Sequence, residues 1–105
     1  CMDEFPEIKN ITVPELKEKI LNNEKIQLID IREKELFKNY HIPGSINYQI
    51  EEILDQPELV PKEFDVVLIC ENGSNSLAVI DFLEESYKYK HVYNLKGGIQ
   101  EWIKY

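Results

Sequence analysis

An apolar run that ends at a cysteine is the feature that most constrains this fold. The run from Val66 to Ile69 indicates a buried strand, because continuous apolar runs of this length are typical of strands covered on both faces. Cys70 follows directly, and a polar loop with one glycine, residues 71–76, then leads into a helical pattern. Strand, loop and helix in this order form the repeating unit of parallel α/β domains. We therefore expect Cys70 at the carboxyl end of a central strand, where such folds carry binding groups.

The position of Cys70 favours covalent chemistry. Backbone N–H groups of the loop, and the positive end of the helix dipole, are expected to point at the sulfur. These donors favour the thiolate, which is the nucleophilic form of cysteine. The alternative is that Cys70 is a small apolar core residue, since free cysteines are commonly buried and inert. The strand, loop and helix alone leave both interpretations open.

Strand and helix patterns alternate along the whole chain. Strands are predicted at 26–31, 45–48, 66–69 and 92–95, and helices at 13–22, 33–39, around 50–54, at 76–87 and at 99–103. Thr12 and Glu15 have capping-box spacing at the start of the first helix. An apolar stripe at helical spacing follows at Leu16, Ile20 and Leu21. The alternation predicts an α/β fold with a parallel sheet and helices on both faces.

The charge of the chain limits its partners. With 105 residues it is long enough for one domain with one core and too short for two. Its net charge of −8 would repel nucleic acid and anionic membrane surfaces. No apolar stretch approaches the roughly 20 residues that cross a bilayer. We therefore expect neither nucleic acid nor membrane as a partner, and any small anionic substrate must be held by local donors.

The cysteines and the start of the chain indicate a reducing compartment. Only two cysteines are present, so a disulfide framework is not expected. The polar start at Asp3 and Glu4 has no signal-peptide character, and a cytoplasmic location follows as the expectation. Residues 1–9 are interpreted as an N-terminal extension. Cys1, which precedes Met2, is interpreted as a cloning remnant without function.

Several cysteine chemistries do not fit the loop. A cysteine phosphatase needs an arginine six positions after the nucleophile to clamp phosphate, and that position is Ser76. A dithiol redox site needs a second cysteine where Gly73 stands. No metal site is expected, because no ligand spacing joins His41 or His91 to Cys70. Sulfur transfer fits, since a thiolate surrounded by backbone donors can hold a sulfane sulfur as a persulfide.

Four segments in register resemble a single-domain rhodanese, over residues 10–105. They are 30–33 (Asp-Ile-Arg-Glu), 41–47 (His-Ile-Pro-Gly-Ser-Ile-Asn), the loop 70–76, and 94–99 (Asn-Leu-Lys-Gly-Gly-Ile) with Trp102. The resemblance implies one rhodanese-like domain over 1–105, a parallel sheet of about five strands, sulfurtransferase activity and no cofactor. The six-residue loop is similar to that of the sulfurtransferase branch, whereas the dual-specificity phosphatase branch has a longer loop.

The resemblance also assigns roles to the loop. It implies that Cys70 carries the persulfide and that the substrate cradle is formed by Glu71, Asn72, Gly73, Ser74, Asn75 and Ser76. Many rhodaneses have an arginine or lysine in this loop, and this chain has none, so we expect weak binding of thiosulfate. A carboxylate at Glu71 opposes ionisation of the neighbouring thiol unless it points to solvent.

The remaining polar residues near these segments are expected to be structural. Asp30 and Arg32 are predicted to pair with each other or with backbone, and His41 to anchor its loop. Gly97 and Gly98 predict a sharp turn near the mouth of the site.

Two functions are carried forward. The first is a sulfurtransferase of the thiosulfate:cyanide type, with a small sulfur donor and a thiophilic acceptor, or a protein in either role. The second is a non-catalytic rhodanese-like module that binds a protein or senses persulfide.

Overall fold

Strands and helices alternate through residues 10–73 and 75–104, which this computed structural model describes. The strands are β1 (Asn10–Ile11), β2 (Ile26–Asp30), β3 (Ser45–Asn47), β4 (Asp65–Ile69) and β5 (Val92–Leu95). The helices are α1 (Val13–Leu21), α2 (Lys34–Asn39), α3 (Ile50–Asp55), α4 (Asn75–Tyr87) and α5 (Gly98–Lys104), with a 3₁₀ turn at Pro57–Leu59. The interpretation of Cys1 and of the extension 1–9 lies outside the described residues.

The five strands form one parallel sheet in the order β1-β5-β4-β2-β3. The α/β class, the parallel sheet and the number of strands are therefore confirmed. β4 lies at the centre, between β2 and β5, and Val66 to Ile69 are fully buried. Because Cys70 follows β4 directly, the cysteine emerges from the middle of the carboxyl edge of the sheet.

Helices cover both faces of this sheet, as predicted. Val66 and Leu68 of β4 face one layer, and Val67 and Ile69 face the other. The first layer is completed by residues of α3 and α4, namely Ile53, Val79, Ile80 and Leu83. The second layer is completed by residues of α1 and α5, namely Val13, Leu16 and Ile99. The continuous apolar sequence of β4 is explained by this burial on both faces. None of the described helices is long and apolar enough to cross a membrane.

In the first helix, α1, the capping box forms as the sequence predicts, but the apolar residues are only partly buried. Its capping box is formed, since the Glu15 N–H donates to Thr12 Oγ1 at 3.2 Å and the Thr12 N–H donates to Glu15 Oε1 at 2.9 Å. The apolar stripe is only partly buried: Leu16 is in the core, while Ile20 and Leu21 are 39% and 80% exposed. Leu21 lies about 140° around the helix from Leu16, so the two cannot share a face.

The sequence patterns missed β1. This strand has only two residues, and it pairs Asn10 with Asn94 and Ile11 with Leu95 at the edge of the sheet. Two residues are too few to show an alternating pattern, so only the long-range pairing with β5 defines this strand.

Candidate active site

Cys70 lies at the point where β4 ends and the loop to α4 begins. Its side chain is buried, with 2% of the residue exposed. The backbone N–H of Gly73 donates a hydrogen bond to Cys70 Sγ at 3.0 Å, and Ser76 Oγ lies 3.3 Å from the same sulfur. The strand end, the loop and the first turn of α4 therefore converge on one sulfur atom, and Gly73 supplies one of the backbone N–H groups that were expected to point at it.

The predicted cradle residues differ in how they surround this sulfur. Gly73 and Ser76 are buried and contact it directly. Asn72 and Asn75 are exposed on the outside of the loop, and Ser74 lies outside the described residues. Glu71 points partly to solvent, with 47% of its side chain exposed.

The loop is packed tightly against the chain that enters α5. The Ile99 N–H donates to the Cys70 carbonyl oxygen at 2.9 Å, which ties the start of α5 to the end of β4. Gly73 has φ of +89°, and a Cβ at this position would lie 3.0 Å from the Gly97 nitrogen. At Gly98, where φ is +63°, a Cβ would lie 2.5 Å from the Cys70 carbonyl oxygen. Glycine is thus required for this close approach as well as for the turn.

We expect Gly98→Ala to lower the free energy of unfolding by more than its left-handed backbone angle alone explains. A left-handed φ costs a non-glycine residue about 1–2 kcal/mol. At Gly98 the new methyl group would also collide with backbone atoms of Cys70 and Glu71, which cannot turn aside as a side chain does. The matched control is Gly44→Ala, because Gly44 has φ of +89° and nothing within 4 Å of the added Cβ. Urea unfolding should show a clearly larger loss for Gly98→Ala, and equal losses would contradict this packing.

Asp30 and Arg32 form a buried ion pair directly after β2. Arg32 Nη2 lies 2.9 Å from Asp30 Oδ2, and Arg32 Nε lies 3.1 Å from both carboxylate oxygens. The backbone N–H of Arg32 also donates to Asp30 Oδ1 at 2.9 Å, and Nη2 donates to the Tyr40 carbonyl oxygen at 2.6 Å. The structure thus pairs the two side chains with each other and with backbone, in the arrangement that the sequence interpretation favoured.

Arg32 also brings a positive charge to the loop. Its Nη1 lies 3.8 Å from Glu71 Oε1, and this oxygen is buried without a hydrogen-bond partner. The other oxygen, Oε2, is 3.4 Å from Gln100 Nε2 on α5. The loop 71–76 contains no cation of its own, and the one that approaches it comes from the end of the neighbouring strand β2. Because residues 32 and 71 are far apart in the chain, no spacing rule could show this pair.

His41 anchors its own loop to α2. Its ring donates from Nδ1 to the Phe37 carbonyl oxygen at 2.8 Å and stacks on the Phe37 ring at 3.9 Å between centroids. The ring is thus held through both a hydrogen bond and an aromatic contact.

A buried polar chain behind Cys70 was also missed from the sequence. Ser76 Oγ donates to Asn94 Oδ1, and Asn94 Nδ2 donates to Asn10 Oδ1 at 2.8 Å. Ser76 and Asn94 are both buried. The signal that could have revealed Asn94 is its polar amide within the apolar strand pattern of 92–95.

The arrangement supports nucleophilic chemistry at one sulfur. Among residues 10–73 and 75–104 there is no cluster of three side chains that could hold a metal ion. The backbone N–H of Gly73 donates to Cys70 Sγ and can stabilise a sulfur anion by hydrogen bonding, whereas the Ser76 hydroxyl beside the sulfur donates its proton to Asn94.

Comparison with known proteins agrees with this geometry. A family model for the Rhodanese-like domain matches residues 12–105. YtwF of Bacillus subtilis, named as a candidate sulfurtransferase, is 36% identical over 96 residues, which are 91% of each chain. A protein of Allochromatium vinosum named sulfurtransferase is 28% identical and covers 93% of this chain and 91% of its own.

The fold comparison gives the same result. The crystal structure of a rhodanese-like domain protein from Staphylococcus aureus superimposes with a TM-score of 0.82 at 28% identity, over 90% of this chain and 91% of the other. The sequence match, the shared fold and the cysteine after the central strand all agree: this chain belongs to the rhodanese-like domain family, whose members include named sulfurtransferases.

Proposed function

We propose that this protein transfers sulfane sulfur through a persulfide on Cys70. The observation that carries the proposal is the environment of Cys70 Sγ, which accepts a hydrogen bond from the Gly73 N–H at 3.0 Å at the start of the loop to α4. Such a donor favours a sulfur anion, and the thiolate is the nucleophilic form. Glu71, Asn72, Gly73, Ser74, Asn75 and Ser76 are proposed as the substrate cradle, with Asp30, Arg32 and His41 supporting it.

The proposed reaction has two displacement steps. The Cys70 thiolate attacks the outer sulfur of a donor persulfide, a new S–S bond forms, and the donor's S–S bond breaks. The donor leaves as a thiolate with the bonding electron pair and takes a proton from water. A nucleophilic acceptor such as cyanide then attacks the outer sulfur of the Cys70 persulfide, which forms thiocyanate and restores the Cys70 thiolate. No external oxidant or reductant is consumed.

The charges around the loop favour a persulfide over thiosulfate as the donor. Arg32 is the cation nearest to the loop among the contacts described above, and both Asp30 and Glu71 face it. A dianion such as thiosulfate would have to compete with these carboxylates in a chain of net charge −8. A persulfide carries less charge and can be delivered by a small thiol or by a protein. We therefore propose thiosulfate:cyanide activity as the weaker of the two donor reactions.

The proposal is tested by measuring thiocyanate release with two donors. Glutathione persulfide and thiosulfate would be compared at equal concentration, with cyanide as the acceptor. We expect transfer from both and a higher kcat/KM for the persulfide. Transfer from neither donor would overturn the proposal, and faster transfer from thiosulfate would overturn the assignment of donor class.

Glu71→Gln should raise the kcat/KM for thiosulfate. The substitution removes the negative charge that faces Arg32, so a dianion meets less repulsion and a less neutralised guanidinium. A unit charge at about 4 Å is worth about 1 kcal/mol in a water-like environment, which corresponds to an increase of about fivefold. The control is Glu24→Gln, which makes the same change in net charge at the opposite, amino edge of the sheet, before β2. An equal increase in both variants would show that only net charge matters.

The burial of Cys70 favours a second candidate function. With 2% of the residue exposed, the sulfur is open only to a slender reagent, as suits a module that binds a protein or senses persulfide without turnover. Stable persulfide loading without transfer to cyanide would favour sensing, and no loading at all would favour binding. Rapid thiocyanate release excludes both.

The reactivity of the Cys70 thiol also suggests a cellular compartment. We propose that the domain, taken as 1–105, acts in the cytoplasm, where a reducing environment keeps a lone reactive thiol free of disulfides. A protein donor or acceptor of sulfur fits this setting as well as a small thiol does.

A further inference from the structure

The polar chain behind Cys70 runs from the reacting sulfur to the edge of the sheet. Cys70, Ser76 and Asn94 are buried, whereas Asn10 on β1 is exposed. The four side chains come from the end of β4, the first turn of α4, β5 and β1. Each contacts the next, through the Cys70–Ser76, Ser76–Asn94 and Asn94–Asn10 hydrogen bonds.

Within the polar chain, the direction of each hydrogen bond depends on the direction of the neighbouring hydrogen bond. Asn94 donates from Nδ2 to Asn10, so its Oδ1 faces Ser76. An amide oxygen only accepts, so the single hydroxyl proton of Ser76 is directed to Asn94. Ser76 Oγ is then left to accept, which suits a Cys70 thiol that donates its S–H. Hydrogen bonds that run in this direction along the polar chain stabilise the Cys70 thiol.

The opposite direction suits the sulfur anion. A thiolate or persulfide anion on Cys70 needs donors, and Ser76 can donate only when its proton turns from Asn94 to the sulfur. Asn94 then has to present Nδ2 to Ser76, which a half-turn of its amide achieves. Asn10 makes the matching half-turn, and its exposure allows water to assist. The thiol proton leaves to water, and no proton passes along the chain.

We propose that Asn94 is a positioning residue that sets, through Ser76, the balance between the thiol and the anion of Cys70. The inference rests on the proposed function in taking Cys70 as the reacting sulfur. Removing the Asn94 amide frees the Ser76 hydroxyl to donate to sulfur, and the anion then forms at lower pH. If Asn94 served only in packing, loss of a polar neighbour would disfavour the anion and move its formation to higher pH.

Other charges around Cys70 stay constant in this comparison. The charged side chains on the elements that surround it are the Asp30–Arg32 pair after β2, Glu71 in the loop, Asp81, Glu84 and Glu85 on α4, Glu51, Glu52 and Asp55 on α3, and the Glu101–Lys104 pair on α5. None of them is changed in the variants below, so a shift in the pH profile reports the polar chain.

The test is the pH profile of Cys70 alkylation by iodoacetamide, read by peptide mass spectrometry so that Cys1 is scored separately. Asn94→Leu should lower the midpoint of the profile by about one pH unit, which corresponds to one hydrogen bond to a charged group. In a Ser76→Ala background, Asn94→Leu should cause no shift, because the two residues act as a unit. Asn22→Leu, at the exposed end of α1, is the control and should leave the midpoint unchanged.

A second variant keeps the test decisive if Asn94→Leu does not fold. Asn10→Leu alters only the exposed end of the polar chain. It should lower the midpoint of the alkylation profile by a smaller amount, because Asn94 is no longer held with Oδ1 towards Ser76. An unchanged or raised midpoint in the folded variants would overturn the inference, and so would a shift that persists without Ser76. Alkylation needs no sulfur donor, so this result is independent of whether sulfur transfer is observed.

Discussion

Cys70→Ser should lower the rate of thiocyanate release by about a thousandfold or more, as expected when the nucleophile of a covalent mechanism is removed. A serine hydroxyl is protonated at neutral pH and cannot form a persulfide. Its oxygen can still accept from the Gly73 N–H and hydrogen-bond to Ser76, the two groups that contact Cys70 Sγ. We therefore expect the free energy of unfolding to change by about 1 kcal/mol or less.

The matched control for this substitution is Cys1→Ser. The chain has two cysteines, and no function is assigned to Cys1. Cys1→Ser should retain the full rate with either sulfur donor. Retained transfer in Cys70→Ser, or an equal loss in Cys1→Ser, would contradict the role given to Cys70.

The largest loss of stability is expected for Asp30→Ala. Asp30 is fully buried and accepts three side-chain contacts and one backbone hydrogen bond from Arg32. Removing it leaves the Arg32 guanidinium buried without its main counter-charge. Breaking one partner of a buried pair typically costs about 3–5 kcal/mol. Urea unfolding should show a loss in this range, and partial unfolding at 37 °C is expected because whole domains are stable by only about 5–15 kcal/mol.

The double variant Asp30→Ala/Arg32→Met separates the ion pair from the volume of its side chains. Replacing both charges removes the uncompensated guanidinium, while methionine keeps much of the apolar packing of the arginine stem. We expect the double variant to be more stable than Asp30→Ala alone. A double variant that loses as much as the single variant would mean that the contacts of Arg32 with Tyr40 and Glu71, rather than its pairing with Asp30, carry the stability.

Local sequence signals were sufficient for most of the fold. The boundaries of β5 were predicted as observed, and those of β2 and β4 to within one residue. This worked because apolar runs, caps and glycine turns act over a few residues. β1 is the exception, since a two-residue strand exists only through its pairing with Asn94 and Leu95. At the end of α1, Ile20 and Leu21 continue the apolar pattern and are nevertheless 39% and 80% exposed, so apolar spacing alone does not define the buried face of a short helix.

The candidate site was predicted where it is contiguous and missed where it is not. Cys70, Gly73 and Ser76 lie within seven positions, so the loop could be recognised as one unit. The ion pair of Arg32 with Glu71, and the contact of Ser76 with Asn94, join residues far apart in the chain. Such contacts depend on the order of strands in the sheet, which fixes the neighbours of β4 and cannot be read from spacing.

The most direct test of the central claim is the intact mass of the protein after incubation with glutathione persulfide, before and after addition of cyanide. The wild type and Cys1→Ser are predicted to gain one sulfur atom on Cys70 and to lose it to cyanide. Cys70→Ser is predicted to gain no sulfur atom that cyanide removes at a rate comparable to that in the wild type. No gain in the wild type, or an equal and equally reversible gain in Cys70→Ser, would contradict a Cys70 persulfide.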